Sequence, residues 1–187
     1  MYELLVLSLL MHFPLHAYLI AKIISPWETI SRGTLSTLLA RLEKEGLITE
    51  AEPSEVPFTG DRPSRALQIT SKGRDRFYEL MLDTKSGSNT YQKLFHIKSQ
   101  HLEFLATDDQ LFLIEHYIAY AEKAIAKLQK QIVRFLEDPV PESGQPGVLF
   151  HATTADLLQV RLESKKLDLA WAKRLREAVS GMKAGGV

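Results

Sequence analysis

The chain has 187 residues, of which 45% are hydrophobic and 25% charged, a mix that excludes a disordered or collagen-like chain. It contains no cysteine, which excludes disulfides, thiol catalysis, iron–sulfur clusters and cysteine-ligated zinc. Basic and acidic residues balance at 23 each, so any claim of nucleic-acid binding must rest on where the charges sit, not on their sum.

The first apolar stretch, residues 4–11, has no positive charge ahead of it and no small-residue cleavage site after it. It reads as neither a signal peptide nor a membrane span, which needs ~20 apolar residues. The reading is therefore a cytoplasmic protein without a membrane partner. The same stretch is apolar nearly all round, which predicts a buried first helix. Pro14 is placed to open a second helix carrying Leu15, Leu19, Ile20 and Ile23, ending near Ser25 and Pro26. Ser31 is a candidate N-cap for a third helix with an apolar stripe of Leu35, Leu38, Leu39 and Leu42. Gly46 stands where a left-handed C-terminal cap belongs.

The period then changes. Residues 47–51 read as a short strand, 53–63 as a turn, and 64–69 as the returning strand. Thr70 can cap a fourth helix that contains Phe77, Leu80 and Met81. Polar residues 83–90 and the Pro- and Gly-rich residues 138–147 read as boundaries. Between them lie a shorter helix, 91–105, and a long one that opens on a Thr-x-x-Gln capping box at Thr107 and Gln110. The long helix carries Leu111, Ile114, Ile118, Ala121, Ile125, Leu128, Ile132 and Phe135 at alternating spacings of three and four, a coiled-coil seam. It would run roughly 45 Å. A last helix from about 154 to 181 offers a weaker stripe of Leu157, Val160, Leu167, Trp171, Leu175 and Ala178, broken by Ser164.

Three helices and a hairpin make a winged helix-turn-helix. The predicted fold is mainly α, with a winged helix-turn-helix and two-stranded wing over 1–85 and a helical dimerisation region over 91–181. With the leucines of the third helix turned inward, Arg32, Thr34, Ser36, Thr37 and, further along, Arg41 are left outward. Small polar side chains suit close approach to a major-groove floor. Residues 62–76 hold five basic side chains and one acidic one, and Arg62 and Arg65 are placed to hold phosphate or minor groove. The acidic first arm of the hairpin, Glu50, Glu52 and Glu55, would have to point away from DNA.

Several blocks then follow one another in a telling order: Glu3-Leu-Leu-Val-Leu-Ser-Leu-Leu, Pro14-Leu-His-Ala-Tyr18, Gly33-Thr-Leu-Ser through Gly46-Leu-Ile48, Arg62-Pro-Ser-Arg, and Leu67-Gln-Ile-Thr-Ser-Lys-Gly73. Over residues 3–82 their order and spacing resemble the PadR family of transcriptional regulators. Ala17 takes the place of the family's glycine and Ser36 that of its tyrosine, the second of which bears on operator preference. The resemblance implies a homodimeric repressor of double-stranded DNA, and some members respond to a small aromatic or drug-like effector. His16, Tyr18 and Lys22 are assigned to phosphate contacts. The dimer contacts are assigned to Leu111, Ile114, Ile118, Ile125, Leu128, Ile132, Phe135 and Trp171. An intrachain antiparallel hairpin is the competing way to cover that seam.

No cofactor or metal is expected. His12 and His16 are four apart, but Pro14 separates them. No Gly-rich phosphate loop, nucleophile elbow or paired-carboxylate motif accompanies them, so the chain is not read as an enzyme. Trp27 and Trp171 are the first places to look for an effector. The other functional reading is a winged-helix adaptor that binds protein and not DNA, favoured by the neutral charge and the acidic hairpin arm.

Overall fold

The computed structural model describes residues 1–25, 28–52, 56–57, 65–85, 87–137, 139 and 146–185, with the side chains of 88, 89 and 183–185 left aside. The chain forms two compact units, Met1–Phe104 and Leu105–Val187. The polar stretch 83–90 therefore lies inside the first unit, and the helix after it belongs there too.

The first unit is a winged helix. Helix α1 (Tyr2–His12) is buried on all sides, with Leu4, Leu5, Val6, Leu7, Leu10 and Met11 in the core. Its one buried polar residue, Ser8, donates its hydroxyl to the Leu4 carbonyl at 2.7 Å, so the buried group is satisfied. Pro14 does not open the second helix. Leu15–His16 instead form a two-residue strand, β1, and α2 runs over Ala17–Ile24. The proline suits the extended backbone here, and β1 pairs antiparallel with β3 through Leu15↔Leu67 and His16↔Ala66.

The third helix, α3 (Arg32–Lys44), has the expected cap: the Ser31 hydroxyl accepts from the Thr34 amide at 3.1 Å. Leu35, Leu39 and Leu42 anchor it in the core, while Leu38 is half-buried. Gly46 ends it at φ +71°, the left-handed turn that favours glycine. Strands β2 (Ile48–Glu50) and β3 (Ala66–Ile69) pair antiparallel through Ile48↔Ile69 and Glu50↔Leu67. The sheet is thus three-stranded, in the order β1-β3-β2, where the sequence predicts a two-stranded wing.

Helix α4 (Ser71–Leu82) starts at Thr70, whose hydroxyl accepts from the Gly73 amide at 3.0 Å. It buries Phe77 and Met81 completely and packs on α1. Helix α5 (Ser88–Ser99) and a 3-10 turn at Leu102–Phe104 complete the unit. Lys98 on α5 is almost wholly buried and donates its ammonium to the Asp83 carbonyl at 2.6 Å, just past the end of α4. Burial lowers its pKa to about 8.

The second unit is an antiparallel pair of helices, α6 (Thr107–Glu137) and α7 (Val148–Gly185). Thr107 is inside α6 and not its cap: the Gln110 amide bonds the Ala106 carbonyl, and the Gln110 side chain reaches back to the Leu105 carbonyl at 2.8 Å. The predicted seam is covered by the chain itself. Ile114, Ile118, Ala121 and Leu128 are buried against α7, and Leu111, Ile125, Ile132 and Phe135 are half-buried. The direction of the pair is set by contacts that run oppositely along the two helices. Glu115 pairs with Arg176 at 3.3 Å, Glu122 with Lys173 at 2.9 Å, and Phe135 stacks on His151 at 4.7 Å. The Tyr117 hydroxyl donates to the Asp168 carboxylate.

The orientation of α7 differs from the expected stripe. Leu162, Ala172 and Val179 face inward, while Leu157, Val160 and Leu167 are exposed and Trp171 is half-buried. Ser164 interrupts the outer stripe, whereas 162, 172 and 179 are separated by ten and seven residues and stay on one heptad seam against α6.

Candidate nucleic-acid interface

The leucines of α3 fix which way its other face points. Arg32, Gly33, Thr34, Ser36, Thr37, Ala40, Arg41 and Lys44 are all exposed. From Arg32 to Ala40 the outward side chains are small, apart from Arg32 itself. Beside this face runs a groove of about 950 Å3 bounded by α2, α3 and β3; Tyr18, Lys22, Arg32, Ser36, Glu43 and Arg65 border it. An exposed helix face of small polar residues next to a groove with three cations is a shape an α-helix can present to a major groove, with cations beside it for phosphates.

The structure thus brings Tyr18, Lys22, Arg32, Ser36 and Arg65 to one groove, and places Thr34 and Thr37 on the neighbouring exposed face. The Thr34 hydroxyl is engaged by Ser31 Oγ at 2.8 Å, so it belongs as much to the helix cap as to the surface. His16 is buried, only 8% exposed, with its ring stacked on Tyr18 at 5.8 Å. Its Nδ1 is buried without a hydrogen-bond partner among the described residues. The ring therefore supports Tyr18, which is 51% exposed and is the one of the two able to reach a partner. Arg62 lies outside the described residues, as does Trp27.

Arg41 points elsewhere. Its guanidinium meets Glu3 of α1 at 2.7 Å and Glu45 at 3.0 Å. Arg76 of α4 reaches the same Glu3 at 2.8 Å. Burial would raise the Glu3 carboxyl, but hydrogen bonds from Arg41 and Arg76 outweigh it and hold the group below the usual carboxylate range. Three helices are tied together through one carboxylate. The i, i+4 spacing of Arg41 and Glu45 is visible in the sequence; the shared Glu3 is not, because it needs the tertiary fold.

Arg65 is bound within the wing, to Glu50 at 3.0 Å and to Glu43 of α3. Glu50 thus serves as partner to a cation. These pairs are exposed and hold the wing against α3 weakly, by roughly 0–1 kcal/mol each, so a phosphate can compete for the same guanidinium.

A smaller cavity of about 250 Å3 lies elsewhere in the first unit, between α1, α2 and α5. Leu5, Leu9, Ile23 and Ile97 supply apolar walls, and the Glu28–Lys93 ion pair and His101 supply polar ones. His101 Nδ1 lies 3.3 Å from His12 Nε2, and His12 Nδ1 lies 3.8 Å from Glu103. Burial, and then His12, lower the His101 pKa to about 4. His12 therefore faces His101 and not His16.

No family model matches the chain, and no curated protein matches it. Solved structures do. The chain is similar to Bacillus subtilis PadR in complex with operator DNA, at 16% identity over 94% of this chain and 96% of that one, with a TM-score of 0.40. It is similar to the PadR-like transcriptional regulator BC1756 from Bacillus cereus, at 20% identity over 97% of this chain and 99% of that one, TM-score 0.37. It is also similar to the Vibrio cholerae virulence activator AphA, at 17% identity over 97% and 99%, TM-score 0.38.

Proposed function

We propose that this chain is a sequence-specific regulator of transcription that binds double-stranded DNA as a homodimer and represses. The observation that carries the reading is the exposed face of α3: leucines lock it to the core, and Arg32, Ser36 and Thr37 are turned out beside a groove that holds Lys22 and Arg65. Arg32 and Ser36 are the candidates for base edges; Tyr18, Lys22 and Arg65 are the candidates for phosphates. Arg41 braces α3 from behind. A two-fold dimer sets two such helices about 34–36 Å apart, the spacing of successive major grooves.

The dimer reading shifts from the α6 seam to the outside of the helix pair, because the centre of that seam is already covered within the chain. Leu157, Val160 and Leu167 on α7 are 49–69% exposed, and they form the apolar surface that a second copy would cover. The cavity between α1, α2 and α5 is the candidate effector site. Its mixture of apolar walls and an ion pair suits a small molecule with one polar end.

The experiment is selection from a pool of random duplexes, followed by anisotropy measurements on the recovered sequence. The expected result is one enriched, roughly palindromic sequence whose affinity falls with salt at a log–log slope of about −0.9 per phosphate neutralised. The adaptor reading draws on the pairing of Arg65 with Glu43 and Glu50, which leaves part of the groove neutral. Equal affinity for every duplex, or none, would favour it.

A further inference from the structure

We infer that Glu43 holds the wing cation Arg65 back from DNA, so that the pair is a built-in restraint on affinity for any duplex. The inference rests on the DNA-binding reading above. Three cations border the groove beside α3, namely Lys22, Arg32 and Arg65, and they are not equally available. Among the described residues neither Lys22 nor Arg32 meets a carboxylate, whereas Arg65 meets two. Its two terminal nitrogens donate to the two oxygens of Glu43, one of them at 3.2 Å, and its Nε donates to Glu50 at 3.0 Å. Every nitrogen of the guanidinium is engaged, and the three side chains together carry one net negative charge. Glu43 itself borders the groove. An incoming phosphate therefore meets a negative cluster where the wing joins the groove.

The fold does not need these ion pairs to place the wing, because backbone bonds already do so. The Leu47 amide donates to the Leu42 carbonyl at 2.9 Å, the Thr70 hydroxyl donates to the Gly46 carbonyl at 2.7 Å, and the ladder sets Glu50 opposite Leu67. The pairs lie at the surface, with the Arg65 and Glu50 side chains 55% and 61% exposed, where such pairs contribute little to stability. Arg41 is the contrast. It too meets two carboxylates, but one of them, Glu3, is only 16% exposed and joins α3 to α1 and α4. Arg65 has no such packing role. For a phosphate to reach it, the guanidinium must leave Glu43, and the carboxylate left behind repels that same phosphate. Both effects oppose binding whatever the bases are, since phosphate contacts carry no sequence information. More of the affinity is thereby left to the outward face of α3.

The test measures Glu43→Gln on the selected duplex and on an unrelated duplex of equal length, in the wild-type and in the Arg65→Gln background. Glu43→Gln is expected to melt within about 2 °C of the wild type. It is expected to bind both duplexes about two- to fivefold more tightly. In the Arg65→Gln background the same change is expected to give at most half of that gain, because no guanidinium is left to release. Glu50→Gln, which leaves α3 untouched, is expected to tighten binding about twofold by the same route. Unchanged or weaker binding in Glu43→Gln overturns the inference while leaving the DNA reading intact. An equal gain in both backgrounds overturns it as well, since the effect would then be repulsion by Glu43 alone. Failure of the wild type to bind any duplex removes the DNA reading itself and the inference with it.

Discussion

Helices α3 and α7 spend their leucines differently. On α3 they are gathered on one side, so the other side shows glycine, hydroxyls and an arginine. On α7 they stand on two sides: Leu162 lies in the pair with α6, while Leu157, Val160 and Leu167 face out. A helix with one apolar face is complete once it is packed, and its exposed side is free for a polar partner. A helix with two apolar faces is incomplete after packing on one neighbour. The first pattern fits nucleic acid and the second fits protein.

The contrast breaks first at the packed sides. Gly73→Ala is the most damaging single change: its Cβ would run into the Leu47 backbone at 2.0 Å, so α4 must move off the sheet. The expected loss is about 3 kcal/mol or more, read by chemical denaturation. A loss under 1 kcal/mol would mean that the α4–sheet contact is looser than described. Next comes the helix pair. Ile114 is fully buried against α7, so Ile114→Gln should cost about 3 kcal/mol and loosen the hairpin. The pair of exposed changes Leu157→Gln and Leu167→Gln should leave helicity intact and halve the mass seen by light scattering. Dimers that survive these two changes would place the second copy on another face.

How much of this was readable without coordinates differs between the two units for a physical reason. In the first unit the signals are local: Ser31 and Thr70 cap the helices they precede, Gly46 turns the chain, and three leucines at helical spacing point α3. Strand β1 was not legible, because two residues carry no period and their pairing with β3 is a tertiary event. Pro14 there looks like a helix start and is in fact a strand neighbour. In the second unit the α6 seam is plain, but a heptad stripe states that something covers it and not what. On α7 two stripes compete: the outer one, Leu157, Val160 and Leu167, holds two leucines, whereas the buried one, Leu162, Ala172 and Val179, holds one and is the fainter signal. Of the site residues, those on α3 were placed by the stripe. The carboxylate that Arg41 meets on α1, Glu3, was not legible, because the pairing of two residues 38 apart is a tertiary event.

Acid probes the first unit at His101. Its pKa, lowered from the ordinary 6.5 to about 4 by burial and by His12, means that the unfolded chain takes up a proton there before the folded one does. The resulting stability is complete above pH 6.5 and is lost as the pH falls towards 4. The integrated effect is on the order of 3 kcal/mol. His101→Leu should flatten that part of the melting-temperature profile. A profile as steep as the wild type's would assign the acid loss to carboxylates such as Glu3, which act lower, around and below their ordinary range.

The smallest effect is expected at Arg41, and it sharpens the contrast between binding and bracing on one helix. Arg32 and Arg41 are both exposed cations of α3, but Arg41 is held by Glu3 and Glu45 and Arg32 borders the groove. Arg41→Gln removes two half-exposed pairs and should cost about 1 kcal/mol of stability. The same change should alter DNA affinity less than threefold and leave the salt slope alone. Arg32→Ala should barely move stability, yet lower the salt slope by about one if it meets phosphate, or relax base preference if it meets a base. The decisive readout is the crossing of the two measurements: stability follows Arg41 and recognition follows Arg32. If Arg41→Gln instead weakens binding as much as Arg32→Ala does, the Glu3 bridge opens when DNA arrives and Arg41 is a contact after all.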